Sequence, residues 1–60
     1  MEMIKAKNVL VNDFLFYQDC FRHVVDTRKS WGDMIDVEFE KGAGRIALFA
    51  PDDYVLIERY

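Results

Sequence analysis

Two carboxylates, Asp36 and Glu38, are polar members of a segment in which apolar and polar residues alternate. Alternate side chains of a β-strand point to the same face, so these two would stand together, opposite Ile35, Val37 and Phe39. Carboxylates above apolar side chains suit a cationic, partly apolar ligand. A strand face that is merely solvated explains the same pattern, and the sequence leaves both interpretations open.

The chain has one histidine and one cysteine. Histidine titrates near neutral pH and often serves as a general base, but His23 falls on the polar side of a predicted helix, which favours a solvated residue. Cys20 falls on the apolar side of the same helix, which favours an inert packing residue over a nucleophile. With no Ser/His/Asp arrangement, phosphate loop or Cys-x-x-Cys motif, we assign no catalytic residue.

The helix is predicted over residues 14–23. At about 100° per residue, its four aromatic residues and Cys20 fall within an arc of roughly 160°. A strand is predicted before it, over residues 4–11, because that segment ends in β-branched and apolar residues. Between the two, Asn12 or Asp13 is a suitable helix N-cap.

Further strands are predicted downstream of the helix, at residues 23–27, 34–40 and 45–50. Residues 28–32 have turn composition, and the glycines in residues 41–44 indicate a tight hairpin turn. Pro51 breaks the strand before it, and residues 54–57 form either a last strand or a docking tail. The predicted order is β-α-β-β-β, with one helix on a curved mixed sheet, which is an α+β fold.

The length of 60 residues allows a single domain over residues 1–60, and the 52% hydrophobic content excludes a disordered tail. The net charge of −3 argues against nucleic acid as a partner. No apolar run is long enough to span a membrane, and the N-terminus lacks signal-peptide character, so we expect a cytoplasmic protein. One cysteine allows no internal disulfide, and a core this small usually needs a partner or a metal.

Two segments resemble the vicinal oxygen chelate superfamily, which includes glyoxalase I, bleomycin-resistance proteins and extradiol dioxygenases. The first contains Asp13, the Phe16-Tyr17 pair and Val24-Val25, and is similar to the end of that family's first strand and its first helix. The second, residues 39–49, is similar to its hairpin of third and fourth strands. The usual Leu-Gly after the Phe-Tyr pair is replaced here by Phe21-Arg22.

The resemblance implies one β-α-β-β-β module, half of the usual two-module domain. A second chain would then supply the other half, so we expect a homodimer. The family's metal ligands lie near the middle of the first strand and at the end of the fourth, positions that fall on Ala6 and Ala50. Alanine has no donor atom, so we expect no metal and no cofactor.

The resemblance also places a ligand groove on the sheet face opposite the helix. Its candidate residues are Asn8, Leu10, Asp36, Glu38, Ile46 and Leu48. The function expected is binding or sequestering of a small cationic or partly apolar molecule in a groove between two chains, as in bleomycin-resistance proteins. Whether the chain is an enzyme stays open, and the alternatives are a metal-dependent lyase or dioxygenase and a structural module without activity.

Overall fold

A computed structural model describes residues 1–40 and 46–60. These residues form six antiparallel strands and two short 3-10 turns, with no α-helix. The strands are β1 (Glu2–Lys5), β2 (Phe14–Tyr17), β3 (Cys20–Lys29), β4 (Ile35–Phe39), β5 (Ile46–Phe49) and β6 (Tyr54–Glu58), and the 3-10 turns are Ala6–Asn8 and Trp31–Asp33. The fold is all-β, and the α+β class predicted from the sequence is wrong.

The strands lie side by side in the order β1-β6-β2-β3-β4-β5. Strands β2 to β5 follow one another along the sheet, whereas β6 returns to lie between β1 and β2. The long strand β3 joins the two halves, and its pairing with β4 shifts register between Val24 and Asp26. A β-bulge of this kind bends a strand and increases its twist, which lets the two halves of the sheet enclose one core.

The core draws on both halves of the sheet. Ile35, Val37 and Phe39 of β4 are all buried, which confirms the alternation read from the sequence. Tyr17 of β2 stacks on Phe39, with ring centroids 5.3 Å apart, and meets Phe49 of β5 edge-on at 6.1 Å. The buried cluster consists of Val9, Leu15, Val24, Ile35, Val37, Phe39, Ala47, Val55 and Ile57.

Residues 14–23, predicted as a helix, form the β2–β3 hairpin. Gln18 and Asp19 make a two-residue turn with φ values of 50° and 73°, and positive φ at both positions is the geometry that suits the twist of a hairpin. Phe16 pairs with Phe21 across this turn. The apolar residues that lie within one helical arc are divided between the two faces of this hairpin: Phe14, Phe16 and Phe21 share one face, and Tyr17 and Cys20 share the other.

The strand predicted over residues 4–11 ends early. Strand β1 stops at Lys5, the 3-10 turn Ala6–Asn8 follows, and Asn12 has a φ of 79°. Asp13 caps no helix; its carboxylate accepts the backbone N–H of Leu10 at 2.9 Å and so closes a turn before β2. The apolar residues 9–11 do not continue a strand, because only Val9 is buried while Leu10 and Val11 are exposed.

The later strands agree better with the sequence. Those predicted over residues 34–40 and 45–50 correspond to β4 and β5, and residues 54–57 belong to strand β6. The strand predicted over residues 23–27 lies inside the longer β3, which also includes two residues of the predicted turn at 28–32. The hairpin turn predicted at residues 41–44 lies outside the described residues.

The β-α-β-β-β module is therefore incorrect, because its single helix is a hairpin and the last strand lies within the sheet. A second chain was expected because one such module would be only half of the usual two-module domain. In the structure the two halves of one bent sheet cover each other, so the buried core is built by one chain. That argument for a homodimer no longer holds, and the structure of a single chain does not test self-association.

Among residues 1–40 and 46–60, no helical segment has the length and apolar character that crossing a membrane requires.

Candidate functional site

The acidic pair singled out in the sequence lies on the outer face of β4. Asp36 is paired with Leu48 of β5, and Glu38 with Ile46. Directly paired residues of antiparallel strands share a face, and the core residues of β4 occupy the alternate positions. Four of the six predicted ligand residues are therefore neighbours on one surface, and on the other side of β4 the same surface continues onto β3. We call it the β4–β5 face; it consists of Asp26, Arg28, Asp36, Glu38, Ile46 and Leu48.

The β4–β5 face is acidic. Arg28 bridges two carboxylates, with nitrogens 3.3 Å from Asp26 Oδ2 and 3.0 Å from Glu38 Oε1. Three carboxylates of this face stand against one guanidinium, so its formal charge is negative. The three paired side chains are all roughly half exposed, and ion pairs at such sites are typically worth less than about 1 kcal/mol. The carboxylates are therefore held loosely enough to accept another cation.

The apolar part of the β4–β5 face lies at the edge of the sheet. Ile46 is 53% exposed and Leu48 is 51% exposed, whereas Ala47 between them is buried in the core. Strand alternation alone explains this difference, because residues on either side of a buried position point outward. The face thus offers two aliphatic side chains beside a row of carboxylates.

The other two predicted ligand residues lie elsewhere. Asn8 ends the first 3-10 turn, and Leu10 belongs to the loop before β2. Both are exposed, and their backbones serve the local fold: Asn8 O accepts from Arg59, while Leu10 N–H donates to Asp13. Because neither residue lies on a strand, the alternation that groups Asp36 with Leu48 does not extend to them.

His23 is held in a cluster that sequence reasoning missed. Its Nδ1 lies 3.1 Å from Glu40 Oε1, and its Nε2 lies 2.9 Å from Asn12 Oδ1. The ring stacks on Phe14, with centroids 5.0 Å apart. The partners come from 11 and 17 residues away, so no local motif signals them. They meet because Asn12 N–H bonds to Val24 O on one side of β3 and Glu40 N–H bonds to His23 O on the other.

Both ring nitrogens of His23 are occupied. A neutral imidazole donates from one nitrogen and accepts at the other, so both contacts are hydrogen bonds either when the ring is protonated or when Asn12 turns its NH₂ group to Nε2. In this arrangement the imidazole cross-links the end of β4 to the loop before β2. Cys20, predicted to be buried, is instead exposed beside the hairpin turn, because the helix that would have buried it does not form.

Asp13 is a buried charge, only 2% exposed. Arg59 donates to it twice, from Nε to Oδ1 and from Nη2 to Oδ2, both at 2.8 Å. This bidentate pair ties the residue that follows β6 to the residue that precedes β2. No local sequence pattern indicates this pair, because the partners are 46 residues apart.

Hydrogen bonding from Arg59, assisted by the Leu10 N–H and by the charge of Arg59, holds the pKa of the Asp13 carboxyl below its usual value, while burial opposes the shift. A lowered pKa stabilises the fold above the unfolded-state value of about 3.9 and loses that contribution as pH falls through the folded-state pKa. We therefore expect this contribution to stay constant from pH 7 to 5 and to fall below about pH 4.

Urea unfolding between pH 7 and pH 2 measures this effect. Asp13→Asn removes the titrating group, so its unfolding free energy should fall less steeply below pH 4 than that of the unmodified chain. Parallel curves for the two proteins would show that Asp13 does not couple protonation to folding.

The positions that the resemblance aligns with metal ligands are Ala6, which is buried in the first 3-10 turn, and Ala50, which follows β5. In the part of the chain that the structure describes, no three His, Cys, Asp or Glu side chains are grouped so that they could hold a metal ion.

No protein-family model matches the chain, and comparison with curated proteins and with solved structures found no match. The resemblance to the vicinal oxygen chelate superfamily is thus left without support from relatives, and the helix on which it depended is a hairpin.

Proposed function

We propose that this chain is a binding module whose β4–β5 face takes a cationic, partly apolar ligand. The observation that carries the proposal is the register of β4 and β5, in which Asp36 is paired with Leu48 and Glu38 with Ile46. A cation would be held by the carboxylates while its apolar part covers the two aliphatic side chains. The sequence-based expectation used a groove between two chains, whereas this proposal needs the face of only one.

The chemistry of the face supports this choice of ligand. Exposed carboxylates attract a cation at long range and hold it weakly in high dielectric. Covering aliphatic surface adds about 25 cal/mol per Å² removed from water. A ligand with both features gains from both contributions, whereas a simple metal ion or a neutral apolar molecule gains from only one.

Phenethylammonium is a suitable probe, with phenethyl alcohol as its neutral counterpart. In an NMR titration, we expect the cation to shift amides of β4 and β5 and the alcohol to shift them less at equal concentration. Each of Asp36→Asn and Glu38→Gln should weaken binding about two- to fivefold, since an exposed ion pair contributes at most about 1 kcal/mol.

Asp19→Asn is the matched control, because it removes the same charge from the exposed β2–β3 turn. It should leave binding to the β4–β5 face unchanged. Equal losses in all three variants would reduce the effect to net charge, and the absence of any shift with either probe would favour a structural module without a ligand.

A further inference from the structure

Strand β5 is an open edge of the sheet. In the described part of the chain it pairs with β4 and with no second strand. A strand in this position presents backbone N–H and C=O groups on its free side, ready to pair with another extended segment. Proteins usually protect such an edge with a charged side chain, most often lysine, or with a proline. Strand β5, Ile46–Phe49, contains neither.

The opposite edge of the sheet differs. Strand β1 begins with Glu2 and ends with Lys5, whose ammonium lies 3.5 Å from Asp52 Oδ1. Charged side chains at both ends of a four-residue strand discourage pairing with a further strand. Of the two edges, β5 is thus the one whose composition permits strand addition.

The side chains of β5 restrict what an added strand would carry. Its inward side chains, Ala47 and Phe49, belong to the core or pack against it. Its outward side chains, Ile46 and Leu48, stand half exposed beside the acidic row of β4. A strand added next to β5 would lie two strand spacings from β4, about 9.5 Å.

We propose that the β5 edge binds an extended partner segment with alternating basic and apolar side chains, as an added strand. This inference rests on the proposed function, because it uses the same acidic and apolar face. The aliphatic stem of a lysine or arginine would lie over Ile46 or Leu48. Its charged end would reach toward Asp36 or Glu38, while main-chain hydrogen bonds to β5 supply the remaining affinity.

Charge selects this occupant over a second copy of the chain. Pairing two β5 strands would bring Ile46 and Leu48 of one chain beside the same two residues of the other. It would also place two acidic β4–β5 faces side by side. Each chain carries a net charge of −3, and like charges oppose such an approach. A basic segment removes this repulsion and pairs with the carboxylates instead.

The probe is a capped heptapeptide in which lysine and valine alternate, beginning and ending with lysine. Two modified forms carry backbone N-methyl groups, either on all the lysines or on all the valines. In an added strand, the N–H groups of alternate residues face β5 and the others face solvent. We expect one methylated form to lose at least about tenfold in affinity, and the other to bind within about threefold of the parent peptide.

Amide shifts of Ile46–Phe49 in NMR titrations give the location and the affinity. Equal affinity of the two methylated forms would overturn strand addition, since their charges and side chains are the same. If they bind equally and both still need Asp36 and Glu38, the proposed function stands without strand addition. If Asp36→Asn and Glu38→Gln change the binding of neither the peptide nor phenethylammonium, the proposed function itself fails.

Sedimentation of the chain alone tests the competing occupant. We expect a monomer at the concentrations of the titration. A dimer that dissociates as peptide is added would show that a second copy occupies the β5 edge, which would overturn the assignment of this edge to a basic partner.

Discussion

Leu15→Ala is expected to lower the free energy of unfolding by about 2–5 kcal/mol, the range for truncating a fully buried leucine. Leu15 is 0% exposed. It is paired with Ile57 of β6, which is also fully buried, so the side chain lies where β2 joins the sheet to its last strand. A chain of this length rarely has more than roughly 3–5 kcal/mol to lose, so this variant should be largely unfolded at room temperature.

Leu15→Val keeps the measurement possible if the alanine variant does not fold. It removes one methylene, worth about 0.8 kcal/mol of burial. The free energy of unfolding measured in urea should therefore fall by about 1 kcal/mol.

Phe16→Ala is the matched control, because Phe16 neighbours Leu15 in sequence but is 45% exposed. It loses an edge-to-face contact with Phe21, whose ring centroid is 5.3 Å away, so we expect a loss of about 1 kcal/mol. The helix predicted from the sequence gives the opposite ranking, since it buries Phe16 and leaves Leu15 off the apolar stripe. A larger loss from Phe16→Ala would contradict the hairpin.

Asp13→Ala is the second variant with a large expected effect, a loss of about 2–4 kcal/mol in the free energy of unfolding. The carboxylate accepts three hydrogen bonds, one from Leu10 N–H and two from Arg59. Hydrogen bonds to charged groups contribute about 1.5–3 kcal/mol each, and the contributions of several bonds to one carboxylate are not additive. The remaining guanidinium is partly exposed and can be hydrated, which keeps the loss below that of stranding a fully buried charge.

Asp13→Asn separates the two parts of this effect. The amide oxygen can still accept from Leu10, so the turn before β2 keeps its closing bond, while the ion pair with Arg59 is lost. We expect the free energy of unfolding of Asp13→Asn to lie between that of the unmodified chain and that of Asp13→Ala. Asp52→Ala is the control for an exposed carboxylate; its pairs with Lys5 and Lys7 are long, so its effect should stay within about 0.5 kcal/mol.

A double-mutant cycle with Arg59→Ala then tests the pair directly. If the bidentate contact exists in solution, the loss in the double variant should be smaller than the sum of the two single losses. Additive losses would show that Asp13 stabilises the chain through its turn alone.

The sequence by itself was sufficient to predict strands β4 and β5. In β4 the alternation of Ile35, Val37 and Phe39 with polar residues matches only a half-buried strand, because a period of two is a local property of the backbone. The same alternation placed Asp36 and Glu38 on one face. Ile46 and Leu48 were added to them only through the family resemblance, and the register of β4 and β5 in the structure is what pairs these two residues with the carboxylates.

Tertiary structure decided the first half. Residues 14–23 satisfy a helical arc and a hairpin equally well, and the choice depends on whether Leu15 or Phe16 faces a core. That core includes Ile57, which is far away in sequence and lies between β1 and β2 only because the last strand returns to the sheet. Local propensity carries no information about the pairing of β2 with β6. The helix was therefore a reasonable but wrong interpretation of residues 14–23.

The polar contacts of the first half were equally out of reach of sequence reasoning. Asp13 and His23 looked like an N-cap and a solvated helix end, whereas their partners are Arg59, Glu40 and Asn12. Each of these contacts forms because strands that are distant in sequence become neighbours in the sheet. Patterns within one strand were readable from the residues alone, while the pairing of distant segments depended on how the bent sheet buries its single core.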